Sequence, residues 1–137
     1  MNRERIQKCV DALRSGKYKQ GRKALRNIND EFCCLGVFCD ISKKDLGIDW
    51  NLEPTDKECY MFSGSSGVLP NSMLGYLGID CNNVLIKTTN SKLPMYQMEK
   101  VGMSYIDREQ VSLISLNDRF KLSFEQIADI IEEEFLK

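Results

Sequence analysis

The run Phe32-Cys33-Cys34-Leu35-Gly36-Val37-Phe38-Cys39-Asp40 is uncharged until its last residue and gathers three of the chain's six cysteines. Cys34, Val37, Phe38 and Ile41 recur at the spacing of one helical face, and Gly36 leaves room for another backbone to pack closely. The spacing predicts a buried central helix. Asn29 or Asp30 would cap its start, and Lys43-Lys44 would place positive charge near its end, where the helix dipole favours it.

The thiols of this run invite a chemical reading, which the composition limits. The chain contains no histidine, so a Cys–His pair, the usual means of activating a thiol nucleophile, is excluded for this chain alone. Cys33 and Cys34, near a helix start and close to basic residues, are the thiols whose pKa could fall. Cys33, Cys34 and Cys39 lack paired C-x-x-C knuckles, and Cys59 and Cys81 are isolated, a pattern unlike a structural zinc site. The start of the chain leads into an amphipathic pattern and not a signal peptide, which argues for a cytoplasmic protein with reduced thiols. Buried free thiols acting as small apolar side chains account for them most simply. No metal and no cofactor is expected. Asp40, Asp45, Asp49, Asp107 and Asp118 show no spacing that singles out an acid/base pair. The Ser63–Gly67 run lacks the following Lys-Ser/Thr of a phosphate loop, so nucleotide hydrolysis has little support.

With 137 residues the chain is expected to form one domain, residues 1–137, large enough to bury roughly 65–70% of the surface its unfolded form exposes. The residues read as α+β, a compact domain of four to five helices around a small antiparallel sheet. Ile6, Cys9, Val10 and Leu13 predict a first helix that stops at Ser15-Gly16. Trp50 and Tyr60-Met61-Phe62 suit short strands. Pro70 opens a short helix carrying Met73, Leu74 and Leu77, which Gly78 ends. Residues 84–89 and 95–106 have strand character. Asp107 with Gln110 resembles a capping box opening a helix through Val111, Leu113 and Ile114, with Asn117-Asp118 at its end. Ser123 with Gln126 forms a second capping box, Leu122 and Ile127 a hydrophobic staple, and Phe124, Ile127, Ile131 and Phe135 one helical face. Glu132, Glu133 and Glu134 oppose the dipole of that last helix, so tertiary packing must hold its end.

Charge points to a local site. Lys17, Lys19, Arg22, Lys23 and Arg26 lie in a segment without acids, read as a loop or short hairpin broken by Gly21. A net charge of −1 argues against bulk nucleic-acid binding, and no apolar run is long enough to span a membrane. Arg14, Lys19, Arg22 and Arg26 could hold phosphates beside the start of the cysteine helix, where backbone N–H groups favour an anion. Tyr18 could stack on a base and Gln20 could read its edge. The same residues also suit a solvated basic loop paired with the acidic C-terminal helix. The aromatics of the middle region serve a homodimer interface and a core equally well.

Several separated motifs carry a resemblance. Ala12-Leu13-Arg14-Ser15-Gly16-Lys17-Tyr18-Lys19-Gln20-Gly21, then Ala24-Leu25-Arg26, the Phe32–Asp40 run, Leu69-Pro70, Leu77-Gly78, Leu116-Asn117-Asp118 and Ser123–Glu132 resemble small proteins encoded by bacteriophages and prophages. Residue 23 is Lys where a small residue or Gly would be more typical, which questions a tight turn at 21–23. The resemblance implies an accessory protein at work in a host bacterium's cytoplasm, where proteins of this kind often antagonise immunity that signals through modified nucleotides. The expected function is therefore non-enzymatic sequestration of a phosphorylated small molecule, a nucleotide immune signal. The alternatives are an inhibitor that docks on a host protein, and a small nucleotide-modifying enzyme.

Overall fold

The computed structural model describes residues 1–102 and 109–137. They form an α+β fold in which the cysteine-rich helix is central. That helix, α2, spans Cys34–Leu46, and Cys34 through Cys39 are all buried. It ends at Gly47, whose positive φ of 65° closes the helix in the left-handed conformation. Its close packing is specific: a Cβ added at Gly36 would stand 1.8 Å from the carbonyl oxygen of Leu25.

Three helices complete the core around α2, two of them packed directly on it. The first, α1 (Arg3–Arg14), buries Ile6, Cys9, Val10 and Leu13, as the periodicity predicts. It packs on α2 and on the C-terminal helix, Phe124–Ile131, numbered α6 in chain order. The capping box at Ser123 and Gln126 is formed, and Leu122 and Ile127 are both buried. A π-helical turn, Glu132–Leu136, extends α6. Its three acids find protein partners: Glu132 takes Arg14, Glu133 accepts from Ser91, and Glu134 accepts from Asn90. Arg3 reaches the carbonyls of Phe135 and Leu136, placing a cation at the dipole's negative end. The third, α5 (Leu113–Asp118), lies against α2 and carries the fully buried Asn117.

Residues 17–26, expected to be a loop or short hairpin, run as a loop between two short strands that do not pair with each other. Strands β1 (Lys19–Gln20) and β2 (Arg26–Asn27) flank β3 (Glu31–Phe32), β1 in parallel and β2 antiparallel. Asn29 and Asp30 form the β2–β3 turn instead of capping α2, because Asn27 Oδ1 accepts from the backbone of Asn29 and Glu31. The cap of α2 is Cys33. Lys23 adopts φ 72°, so the left-handed turn is made with lysine in place of glycine.

The sheet continues through β5 (Cys59–Phe62) to its edge, β4 (Trp50–Leu52), in the order β1-β3-β2-β5-β4. It is mixed, not purely antiparallel. A row of edge-to-face or tilted rings, Tyr18–Phe32–Trp50–Phe62, lines it, and Tyr18 and Trp50 tie that row to α2 through Asp40. Helix α3 (Asn71–Leu77) follows Pro70 and stops at Gly78, as expected.

Two further expectations fail. Met95–Val101, expected to be a strand, is helix α4, opening after Pro94; Met, Gln, Glu and Lys favour a helix over a strand there. Residues 103–106 of that expected strand lie outside the described residues. Asp107 of the expected capping box also lies outside them. Gln110–Ser112 is strand β7, paired with β6 (Leu85–Lys87), and α5 begins only after Ser112, whose hydroxyl caps Ser115 N at 3.1 Å. The described residues thus hold six helices, one more than the upper expectation, and a second sheet of two strands.

The Gly36 contact gives a sharp test. Gly36→Ala has no room for its methyl against the Leu25 backbone and is expected to destabilise by about 3 kcal/mol, read as a lower urea midpoint at an unchanged slope. An alanine variant as stable as the parent would contradict the packing.

Candidate functional site

The structure disperses the residues expected to form a phosphate site. Arg14 turns toward α6, where its guanidinium meets Asp129 at 2.6 Å, Glu132 at 3.1 Å and Glu125 at 3.8 Å. Hydrogen bonds to Glu132 and Asp129 hold it firmly charged. Arg14 lies on α1, outside the basic loop, and among the described residues no cation of that loop makes an ion pair with the C-terminal helix. Lys19 pairs with Glu31 at 3.4 Å across the parallel β1–β3 contact. Gln20 Nε2 donates to Asn117 Oδ1 and to the Leu122 carbonyl, both at 2.8 Å, while Asn117 Nδ2 donates to the Gly21 carbonyl at 2.9 Å. Gln20 and the Leu116-Asn117-Asp118 motif therefore lock the basic segment to the C-terminal third. Arg26 holds Asp30 at 2.6 Å and lies 4.2 Å from the Tyr60 ring centroid. Arg22 is half-buried, and its Nε has no hydrogen-bond partner. The start of α2 faces the chain's own backbone, with Cys33 N donating to Leu25 O at 3.2 Å.

Tyr18 belongs to a node centred on Asp40. Its hydroxyl donates to Asp40 Oδ2 at 2.6 Å, Trp50 Nε1 donates to Asp40 Oδ1 at 2.9 Å, and Lys43 Nζ lies 3.2 Å from the same oxygen. Burial opposes ionisation of this carboxyl, but the three donors more than offset it and hold the pKa below its ordinary 3.8. Burial, then the bond to Asp40, pushes the Tyr18 phenol up.

The cysteines do not form a reactive centre. Cys9, Cys33, Cys34 and Cys39 are buried. Burial alone raises Cys9, burial is the first cause for Cys34 and Cys39 as well, and Cys33 is pushed up to about 12. Each of the four is then a neutral thiol at neutral pH, the opposite of an activated nucleophile. Among the described residues, no group of three or more Cys, Asp and Glu side chains is disposed to hold a metal ion. No helix among them is long and apolar enough to cross a membrane.

A different constellation does gather unpaired charge. Arg5 and Lys8 of α1, Lys44 and Asp45 of α2 and Tyr76 of α3 line a cavity of about 170 Å³. Arg5 stacks 3.9 Å from the Tyr76 ring centroid and donates to the Tyr76 carbonyl at 2.9 Å, while the Tyr76 hydroxyl donates to Asp45. Among the described residues, Arg5, Lys8 and Lys44 have no carboxylate partner. A second cavity of about 340 Å³, lined by Asp11, Ala12, Ser15, Lys17 and Tyr18, shares Ile41 with the first. Arg5, Lys8, Ala12 and Ser15 follow one another at helical spacing, so both openings lie along one stripe of α1 facing α2. Of the expected site residues, only Tyr18 borders this groove.

The spacing of Arg5 and Lys8 is visible in the sequence. Their convergence with Lys44 and Tyr76 is not, because it depends on how α1, α2 and α3 cross. A larger cavity of about 530 Å³, beside Met1, Gly78, Ile79, Val84 and Phe135, offers few polar groups beyond the exposed Asp80 and the Cys81 thiol, which donates to Asn83 Oδ1 at 2.7 Å.

The family model for DUF8296, a domain of unknown function, matches residues 1–135, and the chain belongs to that family. No curated protein and no solved structure matches it significantly.

Two outcomes follow from these contacts. Ellman's reagent is expected to react with Cys59 and Cys81, the half-buried pair, in the folded protein, and with the other four thiols only after unfolding. Fast reaction of Cys33 or Cys34 in the native state would contradict the burial. Because the Asp40 pKa is depressed on folding, its contribution to stability is complete above the ordinary value of 3.8 and is lost as pH falls through the lower folded value. Asp40→Asn should cost about 2 kcal/mol at neutral pH and make the acid-unfolding limb below that value shallower. An unchanged acid limb would remove Asp40 from the account.

Proposed function

We propose that this DUF8296 protein is a non-catalytic binder of a small phosphorylated molecule, held in the groove between α1 and α2. One observation carries the reading: three cations without ion-pair partners line one small cavity against a single carboxylate, Asp45, which accepts from the Tyr76 hydroxyl. Like charges held together repel, and an anion between them relieves that repulsion. The cavity suits a phosphate group, which the Arg5 fork and the Lys8 and Lys44 ammonium groups can contact from two helices. The adjoining cavity offers the Tyr18 ring and Ile41 to the organic part of the ligand, with Lys17 at its margin. Asp11 and the Ser15 hydroxyl could address sugar hydroxyls there.

The four neutral, buried thiols support binding over thiol chemistry. On the resemblance to phage and prophage proteins, the biological reading is a phage accessory in the host cytoplasm that withdraws a nucleotide immune signal by sequestering it. The basic segment of residues 17–26 contributes through Lys17 and Tyr18, while Arg14, Lys19, Gln20 and Arg26 hold the scaffold.

Isothermal titration against pyrophosphate, ADP-ribose derivatives and a panel of cyclic dinucleotides tests this. At least one phosphorylated compound should bind, be recovered unaltered after denaturation, and bind at least about tenfold more weakly, or 1.4 kcal/mol, to a Lys8→Ala/Lys44→Ala variant. Absence of binding across the panel, conversion of the ligand to a new product, or binding indifferent to both lysines would overturn it.

A further inference from the structure

The five-stranded sheet leaves one corner of its core-facing side uncovered. The register pairs Arg26 with Tyr60 and Tyr60 with Leu52, so the three side chains lie side by side on one face. The same face is sealed further along by the buried rings of Phe32, Trp50 and Phe62. Ile28 lies two residues beyond Arg26, on the same side, and its N–H donates to the Glu58 carbonyl at 3.1 Å. Past the sealed part the cover stops: Ile28 is 50% and Leu52 45% exposed. Tyr60 is half-buried between them, stacked with an Arg26 guanidinium whose charge Asp30 already neutralises.

The corner is also the open edge of the sheet. Glu53 N donates to Cys59 O at 2.9 Å, which makes 53 and 59 a hydrogen-bonded pair. Leu52, in the neighbouring non-hydrogen-bonded pair with Tyr60, therefore turns its own N–H and C=O away from β5, toward the open side of β4. An exposed apolar edge of this kind is a template for added chain.

The rim has one sign. Glu53, Asp56 and Glu58 surround the β4–β5 turn, with Lys57 as the single cation in that stretch. None of the three carboxylates has an ion-pair partner among the described residues. After burial, the charges of Asp56, Glu53 and Glu58 are what raise the Cys59 thiol, so they act together on this end of the sheet.

We propose that this corner is a docking surface for a basic segment of a partner protein, which seats an apolar side chain on Ile28, Leu52 and Tyr60 and aims lysine or arginine groups at Glu53, Asp56 and Glu58. The apolar centre supplies affinity and the acidic rim selects the sign of the partner. The surface shares no residue with the Arg5–Lys8–Lys44 groove, so the two stand or fall separately.

The probe is a short synthetic peptide of alternating lysine and valine, with a glutamate–valine peptide of the same length as control. Each is titrated into nitrogen-15-labelled protein and followed by amide chemical shifts. The lysine peptide should shift Ile28, the Leu52 amide and residues 58–60, and the glutamate peptide should not. Leu52→Ser and Glu58→Lys, both at exposed positions the core does not need, should each weaken binding at least about tenfold. Equal response to both peptides, shifts centred on α1 and α2, or unchanged affinity in both variants would overturn the proposal. So would concentration-dependent shifts at the same residues in the protein alone, which would assign the corner to a second copy.

Discussion

The backbone of Leu25 rests on α2 at the one position of the helix where no side chain stands, and the arrangement of the first half of the chain follows from that contact. With Gly36 open, the arch that carries β1, β2 and β3 lies directly on the helix. The fully buried Leu25 then closes the core that α1, α5 and α6 complete from the other sides. The rings of Tyr18, Phe32, Trp50 and Phe62 and the Asp40 carboxylate extend this grip from the helix to the far edge of the sheet. Protein interiors pack too densely to absorb a misplaced methyl at such a point.

Charge in this protein sorts into two populations. One is spent on the fold: Arg14 against α6, Lys19 against Glu31, Arg26 against Asp30, and Lys43 against Asp40. The other makes no ion pair among the described residues, and it includes the cations lining the cavity between α1, α2 and α3 and the carboxylates at the β4–β5 turn. A net charge of −1 conceals this separation. It gives one small chain two surfaces of opposite sign, suited to an anionic ligand on one and a basic partner on the other.

The helices that bury one clean face were legible in the sequence. The stripes Ile6-Cys9-Val10-Leu13 and Phe124-Ile127-Ile131 repeat at helical spacing and carry local caps, so their structure is decided within a few residues. The two-residue strands β1, β2 and β3 were not, whereas β4 and β6 fall where strand character was expected. β1 and β3 pair in parallel across a long excursion, a non-local contact that leaves no period in the sequence. Asn27, Asn29 and Asp30 carry turn chemistry and cap chemistry alike, and the β2–β3 pairing decided between them. The internal pairing of the basic segment was hidden for a related reason. A run of basic residues shows where cations are, while the acids that neutralise them arrive from Asp129, Glu132 and Glu31, elsewhere in the chain or across a strand pair. The unpaired cations come from two helices, α1 and α2, and are joined only by the crossing of those helices.

The central claim is that the groove between α1 and α2 binds a phosphorylated molecule through Arg5, Lys8 and Lys44. The most direct measurement is anomalous diffraction from crystals soaked in tungstate, a heavy mimic of phosphate. The account predicts a peak among the Arg5 guanidinium and the Lys8 and Lys44 ammonium groups. A peak at Arg22 and Lys23 with none in the groove would contradict it.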